Sequence, residues 1–264
     1  MHLACLTVFF VPFRWSWIEL GVALYFLRMF GITAGYHRYF SHRSYKLGRV
    51  WQFLMAFLAE TSAQKGVLWW AAHHREHHQN SDTADDVHSP IRMGFWWAHM
   101  GWIISNQYKS YEPRMVQDFG KFPELRWLDR YYIVPPAILG TLVYLLGGPG
   151  AFIWGFVVST IALFHGTFTI NSLAHVWGSR RFDTEDTSRN NFWLALITMG
   201  EGWHNNHHKF MYACRQGLRW WELDFTYYGL KILSWLGIAR DLRKARFHDL
   251  VESSASAAAG ATTG

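Results

Sequence analysis

YYIVPPAILGTLVYLLGGPGAFIWGFVVSTIALFHGTFTINSLAHVWGS, residues 131–179, contains no Lys, Arg, Asp or Glu. The buried core of a large soluble enzyme is one explanation for so long an uncharged run. Lipid is the better one, because a spanning helix needs roughly 20 mainly apolar residues and this segment holds enough for two. At its middle, Gly147-Gly148-Pro149-Gly150 joins residues free to adopt unusual backbone angles to one that ends helices. That combination predicts a tight turn. The segment therefore reads as a helical hairpin with spans over about 131–146 and 151–170.

Two further apolar stretches lie upstream. Residues 15–35 meet the length rule if Glu19 and Arg28 face protein or the interface. Residues 1–11 are too short to span and are ended by Pro12. They lack the basic start and small-residue cleavage site of a signal peptide, and read as the end of a first spanning helix truncated at the N-terminus. Charge then sets orientation. Arg38, Arg43, Lys46 and Arg49 follow the 15–35 stretch, Lys109, Arg114, Lys121, Arg126 and Arg130 precede the hairpin, and Arg180, Arg181 and Arg189 follow it. The positive-inside bias places 37–130 and 171–250 together in the cytoplasm.

The expectation is an all-α integral membrane protein with four transmembrane helices and a cytoplasmic helical cap, forming a single domain over 1–250. The low-complexity tail 251–264 is expected to be disordered. Half the 264 residues are apolar, including 16 Trp, 12 Tyr and 20 Phe, which is ample for one domain. A net charge of +6 suits a surface facing anionic lipid headgroups. No nucleic-acid-binding motif accompanies the charge, so a nucleic-acid partner is not expected. Cys5 and Cys214 give no disulfide framework and read as free thiols.

The chemistry sits in histidines. HREHH at 74–78 and HNNHH at 204–208 share the spacing H-x-x-H-H, and HRYFSH at 37–42 adds His37 and His42. In a helix, positions i, i+3 and i+4 share a face, so each triplet can point into one pocket. The membrane topology puts both triplets on the same side. Eight imidazoles are too many for one tetrahedral zinc and suit two ions of higher coordination number. Imidazole alone does not choose among iron, copper, nickel and zinc. The sequence has no Ser-His-Asp set, Cys nucleophile, Gly-rich phosphate loop or H-E-x-x-H motif.

GITAGYHRYFSHRSYK, HREHHQNSDTADDVH, NSLAH and GEGWHNNHH, taken together, resemble the signatures of the membrane fatty acid desaturases of the stearoyl-CoA (acyl-CoA delta-9) type, in their bacterial form. The similarity runs from about Gly31 to about Asp241. It implies a centre of two non-heme irons on His37, His42, His74, His77, His78, His175, His204, His207 and His208, with Asn171 reaching one iron through water. Asp82 and Asp86 match acidic residues of the second box, and Glu201 precedes the last one. Such carboxylates orient ligating rings by accepting their outer N–H. His88 ends the segment where the family has D-P-H, with Val87 in place of the proline, and is expected beside the metal ligands and not among them. His2 and His248 are expected to be solvated and His165 to be packed and hydrogen-bonded. His73 is expected at the surface or supporting a ligand, and His99 in a supporting or structural place.

The resemblance implies a dioxygen-dependent oxidoreductase that inserts a cis double bond, at the delta-9 position, into a long-chain acyl group carried on CoA. It also implies a bacterial inner membrane with the active site facing the cytoplasm. A separate ferredoxin or small cytochrome would supply electrons, since the chain has no haem or iron–sulfur cysteine motif. An acyl-lipid desaturase and a lipid or alkane hydroxylase on the same scaffold are the alternatives, with a non-enzymatic metal-binding membrane protein behind them. Trp51, Phe53, Trp69, Trp70, Trp96, Trp97 and Trp102 form either an acyl tunnel or an interfacial aromatic belt.

Overall fold

The structure, a computed structural model, describes residues 2–246. It is mostly helical. The tail at 251–264 and His248, on which two expectations rest, lie outside the described residues.

Helix α1, Trp15–Ser41, and the stretch Val134–Val176 are each long and apolar enough to cross a membrane by length and composition. Within α1 the first part, Trp15–Phe30, is regular α-helix and Gly31–Ser41 is wound as a π-helix. The helix therefore continues past residue 35, where the apolar stretch ends. The reason is tertiary: His37 and Arg38 are buried against Glu201 and Asp224, so the helix need not end where its apolar face ends. Upstream, the first apolar stretch is too short to span by itself, as expected. His2–Phe10 is a 3₁₀ helix of nine residues, about 18 Å long at the usual 2.0 Å rise, against a hydrocarbon core of roughly 30 Å.

Beyond α1, helices α2 (Arg49–Glu60) and α3 (Val67–Asn80) pack against its π-wound end and each other, and α4 (Pro123–Arg130) packs against both of them. Asp129 on α4 accepts the Leu68 and Trp69 N–H groups, satisfying two of the donors that the start of α3 leaves open. A short antiparallel ladder pairs β1 (Lys46–Leu47) with β2 (Ala239–Arg240). The hairpin consists of α5 (Val134–Gly150) and a return arm that starts π-wound over Ala151–Val158 and continues as α6 (Ser159–Asn171). Gly148, at φ 72° and ψ −173°, breaks the helix at the predicted turn, a left-handed geometry open to a residue without Cβ. Beyond the hairpin lie α7 (His204–Lys209) and α8 (Phe225–Trp235), with shorter helical turns between the named elements.

Alpha-1 meets the return arm closely. A Cβ on Gly155 would stand 2.8 Å from the Leu20 side chain, and one on Gly21 would stand 3.0 Å from the Trp154 carbonyl. Small residues let the two backbones approach, as in helix pairs that associate in lipid. Arg28 fastens the same pair. It is fully buried, and its guanidinium donates to Thr160 Oγ1 at 2.6 Å, Ser159 Oγ at 2.5 Å and Leu24 O at 3.0 Å. Glu19, by contrast, is exposed.

Hydrogen bonds made by a charged group contribute about 1.5–3 kcal/mol each when cut. Arg28→Ala should therefore lower the unfolding midpoint of the detergent-solubilised protein by several degrees. Arg28→Lys should recover part of the loss, since it keeps the charge but not the fork. A midpoint unmoved by Arg28→Ala would show that the clamp carries no stability.

Candidate metal centre

Four segments deliver nine imidazoles to one place. The π-wound end of α1 supplies His37, and His42 follows at its cap, its N–H bonded to the His37 carbonyl in the wide i+5 pattern. Alpha-3 supplies His74, His77 and His78 from one face, and α7 supplies His204, His207 and His208. His175 comes from the short turn Leu173–Val176 beyond α6.

The rings fall into two groups, in each of which the nitrogens lie within 4.8 Å of one another. The first is His37, His42, His74, His78 and His207, and the second is His77, His175, His204 and His208. In the first group the Nε2 atoms form a chain of contacts. His42 to His74 is 2.9 Å, while His74 to His78, His78 to His207 and His207 to His37 are each 3.0 Å. These are poor candidates for hydrogen bonds. An imidazole nitrogen has a single in-plane site, either an N–H or a lone pair, yet His74, His78 and His207 each face two neighbours. A shared cation fits better: metal–nitrogen bonds of about 2.1 Å at right angles place two nitrogens about 3 Å apart. In the second group His175 and His204 bring their Nε2 atoms to 3.2 Å. His208 Nε2 is buried there with no hydrogen-bond partner among the described residues. The groups abut, with the His78 and His208 ring centroids 4.5 Å apart.

Carboxylates hold the outer edges. His77 Nδ1 lies 2.9 Å from Asp86, His175 Nδ1 3.2 Å from Asp82, His208 Nδ1 2.6 Å from Asp186 and His37 Nδ1 2.5 Å from Glu201. A proton held on Nδ1 by a carboxylate leaves the Nε2 lone pair facing inward, the tautomer a metal needs. Glu201 is held in turn by Arg38 at 3.0 Å and by Gln216 at 2.8 Å, and Arg38 also pairs with Asp224 at 2.9 Å. Burial alone would raise the Glu201 carboxyl, but the charges of His37 and Arg38 outweigh it and hold the group at about 2. Burial likewise opposes ionisation of Asp82, Asp86 and Asp186. Their hydrogen bonds and facing rings prevail and keep all three well below the usual carboxylate range.

Sequence reasoning missed Asp186, which sits in the loop between the hairpin and α7 with no spacing to mark it, and Gln216 and Thr187, a second partner of Asp82 at 2.8 Å. His88 stacks on His77 with centroids 4.2 Å apart and makes no hydrogen bond to a ring among the described residues. Asn171 ends α6, half-buried, in the wall of a cavity of about 300 Å³ that His74 and His88 also reach. Trp69, Trp70 and Trp102 line that cavity, whereas Trp51 and Trp96 are exposed and Trp97 bonds the Val87 carbonyl. His73 is buried, bonded to the Trp69 carbonyl at 3.0 Å. His2 is exposed, as expected, and also contacts His165 at 2.9 Å, while His165 contacts His99 at 3.0 Å. His2 reaches His165 because the 3₁₀ segment folds back along the return arm.

Burial first, and the positive charge of neighbouring rings second, push His42, His74, His78, His204 and His207 well below the ordinary imidazole value of 6.5. Burial also lowers His208, to about 4, with Asp186 resisting. Below 6.5 the unfolded chain binds protons that these folded rings refuse, so folding loses stability as pH falls through and below that value. The depressed carboxylates act in the same direction, but only below about 4. The melting temperature of chelator-treated protein should therefore fall steadily from pH 7 to pH 5. A flat profile over that range would mean that the rings are not held neutral.

A fatty acid desaturase family model matches residues 14–231. The chain is 39% identical over 249 residues to an acyl-CoA C20 delta-5 desaturase of Anemone leveillei, covering 92% of this chain and 78% of that protein. It is also 39% identical to a chloroplastic palmitoyl-monogalactosyldiacylglycerol delta-7 desaturase of Arabidopsis thaliana, over 92% of this chain and 66% of the relative. With an sn-1 stearoyl-lipid 9-desaturase of Anabaena variabilis it shares 36% identity, over 93% and 91% of the two chains. Histidine clusters able to hold metal, in a mostly helical chain matched over nearly its whole length, lead to one conclusion: this protein belongs to the fatty acid desaturase family and is an oxidoreductase.

Proposed function

We propose that this chain is an integral membrane desaturase that uses two non-heme irons and dioxygen to place a cis double bond in a long-chain acyl group. The observation that carries this reading is the packing of inward-facing nitrogens into two groups of five and four. His37, His42, His74, His78 and His207 would hold one iron. His77, His175, His204 and His208 would hold the other, with Asn171 acting through water. Bound there, the irons supply the oxidising power that acid–base side chains lack. The overall change is –CH₂–CH₂– + O₂ + 2e⁻ + 2H⁺ → –CH=CH– + 2H₂O.

The chain's own residues do the rest. Trp69, Trp70, Trp102, Phe164 and Phe168 wall an apolar cavity that reaches His74, which suits an alkyl chain and keeps water from it. Asp82, Asp86, Asp186 and Glu201 keep the outer protons on Nδ1 and the rings in place. The apolar elements α1, α5 and the return arm would lie in the bilayer with His2–Phe10 alongside. Exposed Phe26, Leu27, Leu142, Leu145 and Leu146 on them support lipid contact. The charge asymmetry of the connecting segments supports a cytoplasmic site in a bacterial inner membrane.

Acyl-CoA with delta-9 placement is the first substrate reading. An acyl-lipid substrate has one specific observation behind it. By the resemblance, His73 stands where the acyl-CoA enzymes carry an acidic residue against CoA, and here the ring is buried and bonded to the Trp69 carbonyl. Product analysis with double-bond mapping, in a host lacking unsaturated fatty acids and then with purified acyl-CoA and phospholipid, tests both. Hydroxylated product, or none, would overturn the desaturase reading.

Metal analysis should find two irons per chain. His207→Ala and His77→Ala should each lose about one of them and abolish product, because they belong to different groups. Asp186→Ala should weaken iron binding about 10- to 100-fold while leaving all nine rings present. Full iron content in either histidine variant would defeat the assignment.

A further inference from the structure

Alpha-8 exposes a face that is wholly aromatic or aliphatic. It buries Thr226 and Leu230 and leaves Phe225, Tyr228, Ile232 and Trp235 exposed, at i, i+3, i+7 and i+10. Its inner face rests on α1. Thr226 Oγ1 and Thr33 Oγ1 hydrogen-bond at 2.7 Å, and a Cβ on Gly229 would stand 2.6 Å from the Phe30 ring. Phe30 lies about 22 Å along α1 from Trp15 at the usual 1.5 Å per residue, against a hydrocarbon core of roughly 30 Å. If α1 spans the bilayer, α8 therefore touches it before it has cleared the lipid. The surrounding charge fits the same place. Between residues 219 and 240 the only acids, Glu222 and Asp224, are buried, whereas Arg219 and Arg240 are exposed. The Lys231 ammonium lies 5.7 Å from the Trp235 ring centroid.

We propose that α8 lies flat in the boundary between headgroups and acyl chains, with its aromatic stripe in lipid and the flanking arginines on anionic headgroups. The inference rests on the membrane reading above, and it moves a helix expected in the cytoplasmic cap onto the bilayer surface. Buried apolar area and attraction to anionic lipid are the two forces that hold such a helix in place. A second copy of the chain is the other occupant that an apolar stripe could take. The charges disfavour it, because a two-fold contact through α8 would gather the arginines of both copies with no exposed acid between residues 219 and 240 to separate them. Seating α8 also sets the height of the histidine groups. Its N-cap, Asp224, pairs with Arg38 at 2.9 Å, and Arg38 holds the Glu201 that backs His37.

The test is a depth measurement on the full chain in vesicles of phosphatidylcholine and phosphatidylglycerol. Cys5→Ser leaves the buried Cys214 as the only native thiol. A nitroxide is then placed by Ile232→Cys or Trp235→Cys on α8, or by Leu142→Cys on α5 as the control. Circular dichroism matching that of the unlabelled chain reports that each variant is folded. Paramagnetic resonance compares collisions with oxygen, which concentrates in lipid, and with a water-soluble nickel chelate. The α8 labels should sit about 5–10 Å below the phosphates, and the Leu142 label deeper. Replacing phosphatidylglycerol by phosphatidylcholine should make the α8 labels shallower and leave the Leu142 label where it was. Labels on α8 open to nickel, beside a Leu142 label in lipid, would overturn the inference and leave the membrane reading standing. Shielding of the α8 labels from both reagents, with spin broadening that unlabelled chain dilutes away, would give the face to a second copy. An α8 depth indifferent to phosphatidylglycerol would overturn the part assigned to the arginines. If the Leu142 label is itself open to nickel, the membrane reading falls and takes this inference with it.

Discussion

The structure turns on the difficulty of burying many imidazoles with their lone pairs facing one another. Five Nε2 atoms in contact at about 3 Å repel unless something positive lies between them. The protein meets this constraint in part by fixing four of the nine rings, those of His37, His77, His175 and His208, from behind. Four carboxylates grip Nδ1 atoms, and each carboxylate is itself held by backbone amides, hydroxyls or Arg38. The result is a site whose polarity is set outside the rings and whose interior is left open to a cation. Arg38 carries unusual weight, since its pairs with Glu201 and Asp224 tie the end of α1 to the segment before α7 and to the start of α8.

The same residues explain where the apolar helices end. Nothing in the sequence around residue 35 shows that a helix could continue through His37 and Arg38, because the partners that neutralise them stand more than 160 positions away. Long-range pairing of this kind overrides a boundary drawn from hydropathy. The hairpin turn was legible because glycine and proline act locally: Gly148 takes an angle that its own chemistry permits. The first apolar stretch, expected as the end of a truncated helix, is wound as a 3₁₀ helix over His2–Phe10, and composition does not determine which helix geometry nine residues adopt.

The triplet spacing made it legible which rings share a helix face, because one turn of helix brings i, i+3 and i+4 together wherever the helix lies. It could not reveal how the rings divide. Alpha-3 sends His74 and His78 to one group and His77 to the other, and α7 sends His207 to one and His204 and His208 to the other. Each helix thus braces both groups. Asp186 stayed hidden because a loop carboxylate has no periodicity, and only folding brings it to His208.

Alpha-3 also carries Trp69 and Trp70 one turn before His74, and the Trp70 and His74 rings stack with centroids 4.9 Å apart. On the desaturase reading, part of the wall of the apolar cavity and a ring that would hold iron are thus carried on one helix. Sliding or tilting that helix would carry both together, so the interval between them survives breathing of the surrounding fold. The distance between that stretch of cavity wall and the His74 ring is then set within a single helix, whatever the looseness of the lipid around it.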